Sequence, residues 1–422
     1  MNLSVEVQDY ILNDVIERFL RYVKVWTTSD DESSTKPSSS NQLELAKILV
    51  EELKELDLEN IILDKFGYVY ADLPPSMEFE KAQPIGLIAH LDTSNAVSGE
   101  DVKPIVHKNY QGGPIKLPNV EDLYITLEDA PELEEYIGLD IITSSGDTLL
   151  GADDKAGIAE IMTACKIWQK YPEFKHGPIT ICFTPDEEIG KGTDNINKSR
   201  LPEACYTLDG GKMGELEYEC FDAWKATFKF IGLSVHPGHA KNKMINAIHI
   251  ASRFFSNIPE SESPEHTEER EGFFHLSDLK GNEEAATAKL LIRDHDSEKN
   301  KRRIDYIKSL KNTFEVLYPG LKIEIDLLHQ YKNMLFYLEK DKHVIEIAKK
   351  AIEESGLEVD SPAIRGGTDG ARLSEMGIPT PNIFGGGSLF HSRKEFIPTL
   401  GLLKATEVIL NLAHLWSLEQ KK

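Results

Sequence analysis

Cysteine is scarce in this 422-residue chain: Cys165, Cys182, Cys205 and Cys220 are the only four, and no two form a C-x-x-C pair. That spacing offers neither a thiolate knuckle nor a redox couple, so the thiols are expected to be reduced and buried, and any metal site must use histidine and carboxylate. Basic residues are also short, with 47 Lys+Arg against 71 Asp+Glu and a formal net charge of -24. Phosphate backbones and anionic lipid would repel such a chain, which disfavours nucleic acid and membrane partners. No window reaches the roughly 18 uninterrupted apolar residues of a spanning helix. Residues 1–25 lack a basic start followed by an apolar run, because Glu6, Asp9, Asp14 and Glu17 interrupt them at helical spacing. A cytoplasmic location is the expectation. The glycine runs Gly366-Gly367-Thr368-Asp369-Gly370 and Gly385-Gly386-Gly387 let backbone approach a ligand but match neither a phosphate loop nor a dinucleotide fingerprint, so nucleotide binding is not expected.

What is present is an ordinary globular composition, 40% apolar and 28% charged. The length exceeds what one core sustains, which points to two domains. Ile11, Val15, Ile16, Phe19 and Leu20 recur at helical period, a Ser/Thr/Asp-rich loop follows over residues 27–42, and a second helix over 43–56. Residues 61–73 read as a strand pair around Gly67, and 84–90 as a buried strand ending at His90-Leu91-Asp92. The pattern weakens over 99–138, read as an excursion across the surface. A helix over 154–169 follows Gly151-Ala152-Asp153, a strand over 179–184 ends at Pro185-Asp186-Glu187-Glu188, and Tyr206-Thr207-Leu208 leads into Asp209-Gly210-Gly211. Three apolar strands thus stop at acidic or histidine-bearing loops, where open α/β sheets gather ligands.

Between 214 and 330 the pattern changes to strands (226–231, 286–292, 321–328) and helices (240–255, 296–318) in the order strand, helix, strand, strand, helix, strand. The expected fold is therefore α/β. A mixed-sheet catalytic domain with helices on both faces (residues 1–213 and 331–422) would carry an inserted α+β, ferredoxin-like lid, residues 214–330, that could also serve dimerisation.

Each chemical motif has a plainer reading. His90-x-Asp92 fits a turn histidine beside a capping aspartate, and Asp153 or Asp154 could simply cap the helix that follows. Asp186-Glu187-Glu188 could be a solvated acidic loop, and Asp209-Gly210 a turn. His391 stands alone after a glycine run. Their combination is more telling. A histidine or carboxylate at each of five strand ends forms a sulfur-free set suited to zinc or manganese, and one bridging carboxylate with two ligands per ion suffices for two ions about 3.5–4 Å apart.

His-Leu-Asp-Thr at 90–93, Gly-Ala-Asp-Asp-Lys-Ala-Gly-Ile-Ala at 151–159, Thr-Pro-Asp-Glu-Glu-Ile-Gly at 184–190 and Ile-Arg-Gly-Gly-Thr-Asp-Gly at 364–370 resemble the family of dinuclear-zinc exopeptidases, dipeptidases, aminoacylases and related deacylases. Among its members the tripeptide aminopeptidases are the best match, in order from near residue 10 to near 415. The resemblance implies two zinc ions bridged by Asp153, with His90 and Asp209 completing one site and Glu188 and His391 the other. Manganese or cobalt would suit the same donors. It also implies Glu187 as general base, Asp92 orienting His90 through the second ring nitrogen, and a cis peptide after Asp153. His236 would complete the oxyanion site, although as a residue it also reads as a turn histidine before Pro237. Asn246, Arg293 and Arg365 match substrate-contacting positions, and arginine suits the clamping of a peptide carboxylate. His239, Ser388-Leu389-Phe390 and the loop over 27–41 depart from the family pattern, which bears on specificity. The implied activity is release of the N-terminal residue from tripeptides, with short peptides as partners and a homodimer through the lid. The alternatives are a dipeptidase or N-acyl amino acid deacylase on the same site, and a peptide-binding protein without catalysis.

Overall fold

Ile85–His90 has no polar side chain before its last residue, and all six positions are buried. Such a run suits a strand covered on both faces, and it lies inside a seven-stranded sheet. The structure, a computed structural model, describes residues 3–419. Within them the chain divides into two compact units: unit 1 runs to Tyr218 and includes Tyr337–Pro362 and the residues from Thr368 on, and unit 2 is Glu219–Phe336 with Ala363–Gly367.

In unit 1 the strand order is Glu59–Leu63, Val69–Leu73, Ile179–Thr184, Ile85–His90, Cys205–Gly210, Asn382–Phe384, Leu216–Glu217. The central run from Ile179–Thr184 to Asn382–Phe384 is parallel and the flanking strands are antiparallel, so the sheet is mixed, as expected. His90 pairs with Thr184 and Phe384 with Gly210, so the carboxyl ends of the parallel strands reach one edge together. Side chains alternate across the sheet: Tyr206 bonds Trp416 of helix Thr399–Ser417, while its neighbour Cys205 packs with Ile88, Cys182 and Leu373. Helices therefore cover both faces. All four cysteines are buried thiols outside any disulfide.

Residues 99–138 are not a bare excursion. Tyr110, Ile115, Leu117, Ile125, Leu133 and Tyr136 close a small core with Ile141 and Phe396, and Ile105–His107 pairs with Ile141–Thr143. Strands of two and three residues are too short for a period to register.

Unit 2 is a four-stranded antiparallel sheet in the order Phe273–Gly281, Ala285–Asp294, Asp222–Ile231, Lys322–Tyr331. Helices Ala247–Phe255 and Ser297–Leu317 share one core with it, built from Phe228, Phe230, Phe254, Leu290 and Ile307, and the element order is that of a ferredoxin-like fold. The first helix starts at Ala247, later than its sequence suggests, because Asn246 caps it and Pro237 opens a separate 3-10 turn. Among the described residues no helix is long and apolar enough to cross a membrane.

Helix Ala152–Lys170 lies on strands Ile85–His90 and Cys205–Gly210. Its closest approach is at Gly157, where an added β-carbon would overlap the Leu208 carbonyl oxygen and stand 2.5 Å from Asp154 Oδ1. Alanine ordinarily favours a helix over glycine by about 1 kcal/mol. Here the clash is with backbone, so Gly157→Ala should instead destabilise the protein by about 1–3 kcal/mol. Chemical denaturation measures this; a variant as stable as the parent would contradict the packing described.

Candidate metal centre

Three strand ends and two loops bring the candidate ligands to one edge of the unit 1 sheet. His90, buried at the end of its strand, places Nε2 2.8 Å from Asp153 Oδ1 and 3.3 Å from Asp209 Oδ1. His391 Nε2 lies 3.0 Å from the other Asp153 oxygen and 2.8 Å from Glu188 Oε2. Asp153 therefore faces an imidazole with each oxygen, in the continuous line Asp209, His90, Asp153, His391, Glu188. The turn that presents Asp153 is not helical: Asp153 has φ -81° and ψ 106°, and its bond to Asp154 is cis.

His90, Asp153 and Glu188 each offer a donor atom within 4.8 Å of the others, as do His90, Asp154 and Asp209. Asp154 is nevertheless the weaker ligand candidate of the adjacent pair, because its Oδ2 accepts the His90 amide at 2.9 Å and its Oδ1 the Gly157 amide at 3.2 Å. Glu188 Oε1 is buried without a hydrogen-bond partner. A donor set of oxygen and nitrogen without sulfur, containing an orphaned buried carboxylate oxygen, fits a divalent cation of the zinc class.

The electrostatics point the same way. Burial and the nearby Asp209 push Glu187 well above the usual carboxylate range. Burial and Asp153 push Glu188 up to about 7. Burial also lifts Asp209 to about 7, although His90 opposes it. Hydrogen bonds to Asp153 and Glu188 raise His391 to about 10. In His90, burial disfavours the charged ring, but Asp209, Asp153 and Asp92 outweigh it and the pKa rises. Asp153 is held below the usual range despite burial, by His391 and His90. Without a cation, protons neutralise this cluster.

The supporting contacts are largely to backbone. His90 Nδ1 is 3.0 Å from the Asp92 carbonyl oxygen and 3.5 Å from its carboxylate. The Asp92 carboxylate instead accepts the amides of Glu187 at 3.0 Å and Glu188 at 3.1 Å. Asp186, in the left-handed region at φ 61°, accepts the Ser38 amide at 2.8 Å, the Ser38 hydroxyl at 2.5 Å and Gln42 Nε2 at 2.7 Å. The loop over 27–41 thus fastens the turn that carries Glu187. Nothing in the sequence singled out Asp186, Ser38 or Gln42 for this task, and Glu395, which accepts the amides of residues 150–153, was also overlooked.

The remaining candidates lie in unit 2, each in a local set of bonds. Exposed His236 accepts the Gly238 amide at 3.2 Å and opens a 3-10 turn. Asn246 accepts the His249 amide at 3.1 Å as a helix cap. Buried Arg293 donates to the Trp224 carbonyl at 2.8 Å, the Ile292 carbonyl at 3.0 Å and Gln330 Oε1 at 2.8 Å. Arg365 donates to the carbonyls of Glu269 and Glu271 at 3.0 and 2.9 Å and to Thr267 Oγ1 at 2.9 Å.

Residues 150–415 match peptidase family M20/M25/M40. Peptidase T of Caldanaerobacter subterraneus subsp. tengcongensis is 46% identical over 406 residues, covering 96% of this chain and 99% of that protein. The crystal structure of aminopeptidase PepT from Bacillus cereus superposes with a TM-score of 0.73 at 23% identity, covering 96% of this chain and 98% of that one. A tripeptidase structure from Staphylococcus aureus gives 0.76 at 21% identity, covering 97% and 99%.

Protons on Glu188, Asp209 and His391 must leave before a cation can bind their lone pairs, so metal affinity should rise with pH between 6 and 8, by about tenfold per unit for each proton displaced. Zinc uptake by metal-free protein should release protons, more at pH 6 than at pH 8. Calorimetry in buffers of different ionisation enthalpy checks this; uptake without proton release would contradict it.

Proposed function

The chain belongs to peptidase family M20/M25/M40 and is a peptidase, and on that premise we propose that it releases the N-terminal residue of tripeptides in the cytoplasm, using two zinc ions held in unit 1. The observation that carries the proposal is the Asp153 carboxylate, with one oxygen 2.8 Å from His90 Nε2 and the other 3.0 Å from His391 Nε2. Asp153, with His90, Asp209, Glu188 and His391, would hold the ions. When bound, such a pair of ions supplies Lewis acidity that lowers the pKa of water at the site from about 15.7 toward 7.

The chain's own residues do the rest. Glu187 lines a small cavity with His90, Asp209 and Asp369, and its amide is fixed by Asp92. Burial raises its proton affinity, which suits a base that takes a proton from the attacking water. The water oxygen bonds to the peptide carbonyl carbon, the C–N bond breaks, and Glu187 returns the proton to the leaving amine. Glu188 does not share this role, because its Oε2 is turned to His391, 2.8 Å away. To His236 we assign the oxyanion contact and to Asn246, Arg293 and Arg365 contacts with the peptide, on the strength of the motif match. A homodimer through unit 2 belongs to the same proposal.

Glu187→Gln should lower kcat by about 10²–10⁴-fold with metal content unchanged. Near-normal turnover would remove Glu187 as the base. A panel of di-, tri- and tetrapeptides beside N-acyl amino acids should show preference for tripeptides with a free amine; preference for an acylated amino acid would overturn the tripeptide reading.

A further inference from the structure

Glu395 is 1% exposed, and its carboxylate hydrogen-bonds to backbone amides rather than to the candidate ligand side chains. It accepts four successive backbone amides: Leu150 at 2.7 Å and Gly151 at 2.9 Å on Oε2, Ala152 at 2.6 Å and Asp153 at 3.2 Å on Oε1. Gly151, at φ +83°, supplies the left-handed bend that turns these N–H groups toward one point. Burying a carboxylate is costly unless its oxygens are satisfied, and here backbone alone satisfies both.

The far end of this contact is equally well defined. Ser388 and Phe396 exchange backbone hydrogen bonds at 2.9 and 3.1 Å, closing a loop that contains His391 and Glu395. The Ser392 hydroxyl donates to the Leu389 carbonyl at 2.6 Å inside it, and Lys394 Nζ anchors it to Asp129 at 2.6 Å. Glu395 therefore fastens the base of the loop bearing His391 to the turn bearing Asp153, segments that lie far apart in sequence. The two side chains so fastened face each other across 3.0 Å, from His391 Nε2 to Asp153 Oδ2.

We infer that Glu395 is a positioning residue for the metal centre: by gathering the amides of residues 150–153 it sets the Asp153 carboxylate against His391, and so governs how tightly the ions are held. This rests on the two-ion reading given above. Glutamine in its place keeps the volume but offers one acceptor oxygen, and its amide nitrogen would confront two N–H donors. Aspartate keeps both oxygens but withdraws them by one methylene.

The test is calorimetric titration of zinc chloride alone into the metal-free full-length protein, with thermal melting of the same samples. Glu395→Gln should bind zinc about 10–100-fold more weakly, a loss larger than the fall in its metal-free melting temperature accounts for. Glu395→Asp carries the same test if the glutamine variant does not fold. Glu407→Gln, at a buried carboxylate bonded to Gln8 and Lys404, serves as control and should leave zinc affinity unchanged. Unchanged zinc affinity in the Glu395 variants overturns the inference, as does a loss of affinity that merely tracks a loss of metal-free stability. Wild-type protein that takes up no zinc overturns the two-ion reading itself.

Discussion

The structure is organised around one electrostatic constraint: Asp153, Glu187, Glu188 and Asp209 lie together, partly withdrawn from water, beside the imidazoles of buried His90 and exposed His391. Buried like charges cannot all ionise without compensation. Protons answer this in the metal-free protein, and divalent cations would answer it equally, with the difference that cations would also create a reactive centre. The raised carboxyl groups at Glu188 and Asp209 and the anionic Asp153 between two histidines are two aspects of the same balance.

The sheet makes that crowding structurally feasible. Parallel strands bury their middles with apolar residues and release their carboxyl ends at one edge, so Ile85–His90, Ile179–Thr184 and Cys205–Gly210 each deliver a polar terminus to the same place. Helix Ala152–Lys170 comes close enough, at Gly157, to bring the turn before it into the cluster.

This explains what was legible in the sequence. His90, Asp209 and the Glu187–Glu188 pair were recognisable because each directly follows an unbroken apolar strand, a local signal. The βαββαβ order of unit 2 was legible because its elements are long enough to show a period. The small core over residues 110–141 was not, since its strands span two or three residues. The anchoring tasks of Asp186, Ser38 and Glu395 were not legible for a different reason: their partners are largely amides or hydroxyls from distant segments, and a backbone amide has no residue identity to read.

The same consideration accounts for the doubled acids in the motifs. Asp154, beside Asp153, holds the amide of His90; Asp92, beside His90, holds the amides of Glu187 and Glu188; Glu395, after His391, holds the amide of Asp153. Asn382, on the strand leading to His391, holds the amide of Asp209 at 3.0 Å. The segments around His90, Asp153 and His391 thus each contribute one group to the cluster and another to a neighbour's backbone, which ties the candidate segments to one another. Sequence alone sees both Asp153 and Asp154 but cannot assign them, because a carboxylate that binds a cation and one that binds an amide are chemically the same group. Geometry separates them: Asp153 turns its oxygens to two imidazoles, whereas Asp154 turns its own to two backbone N–H groups.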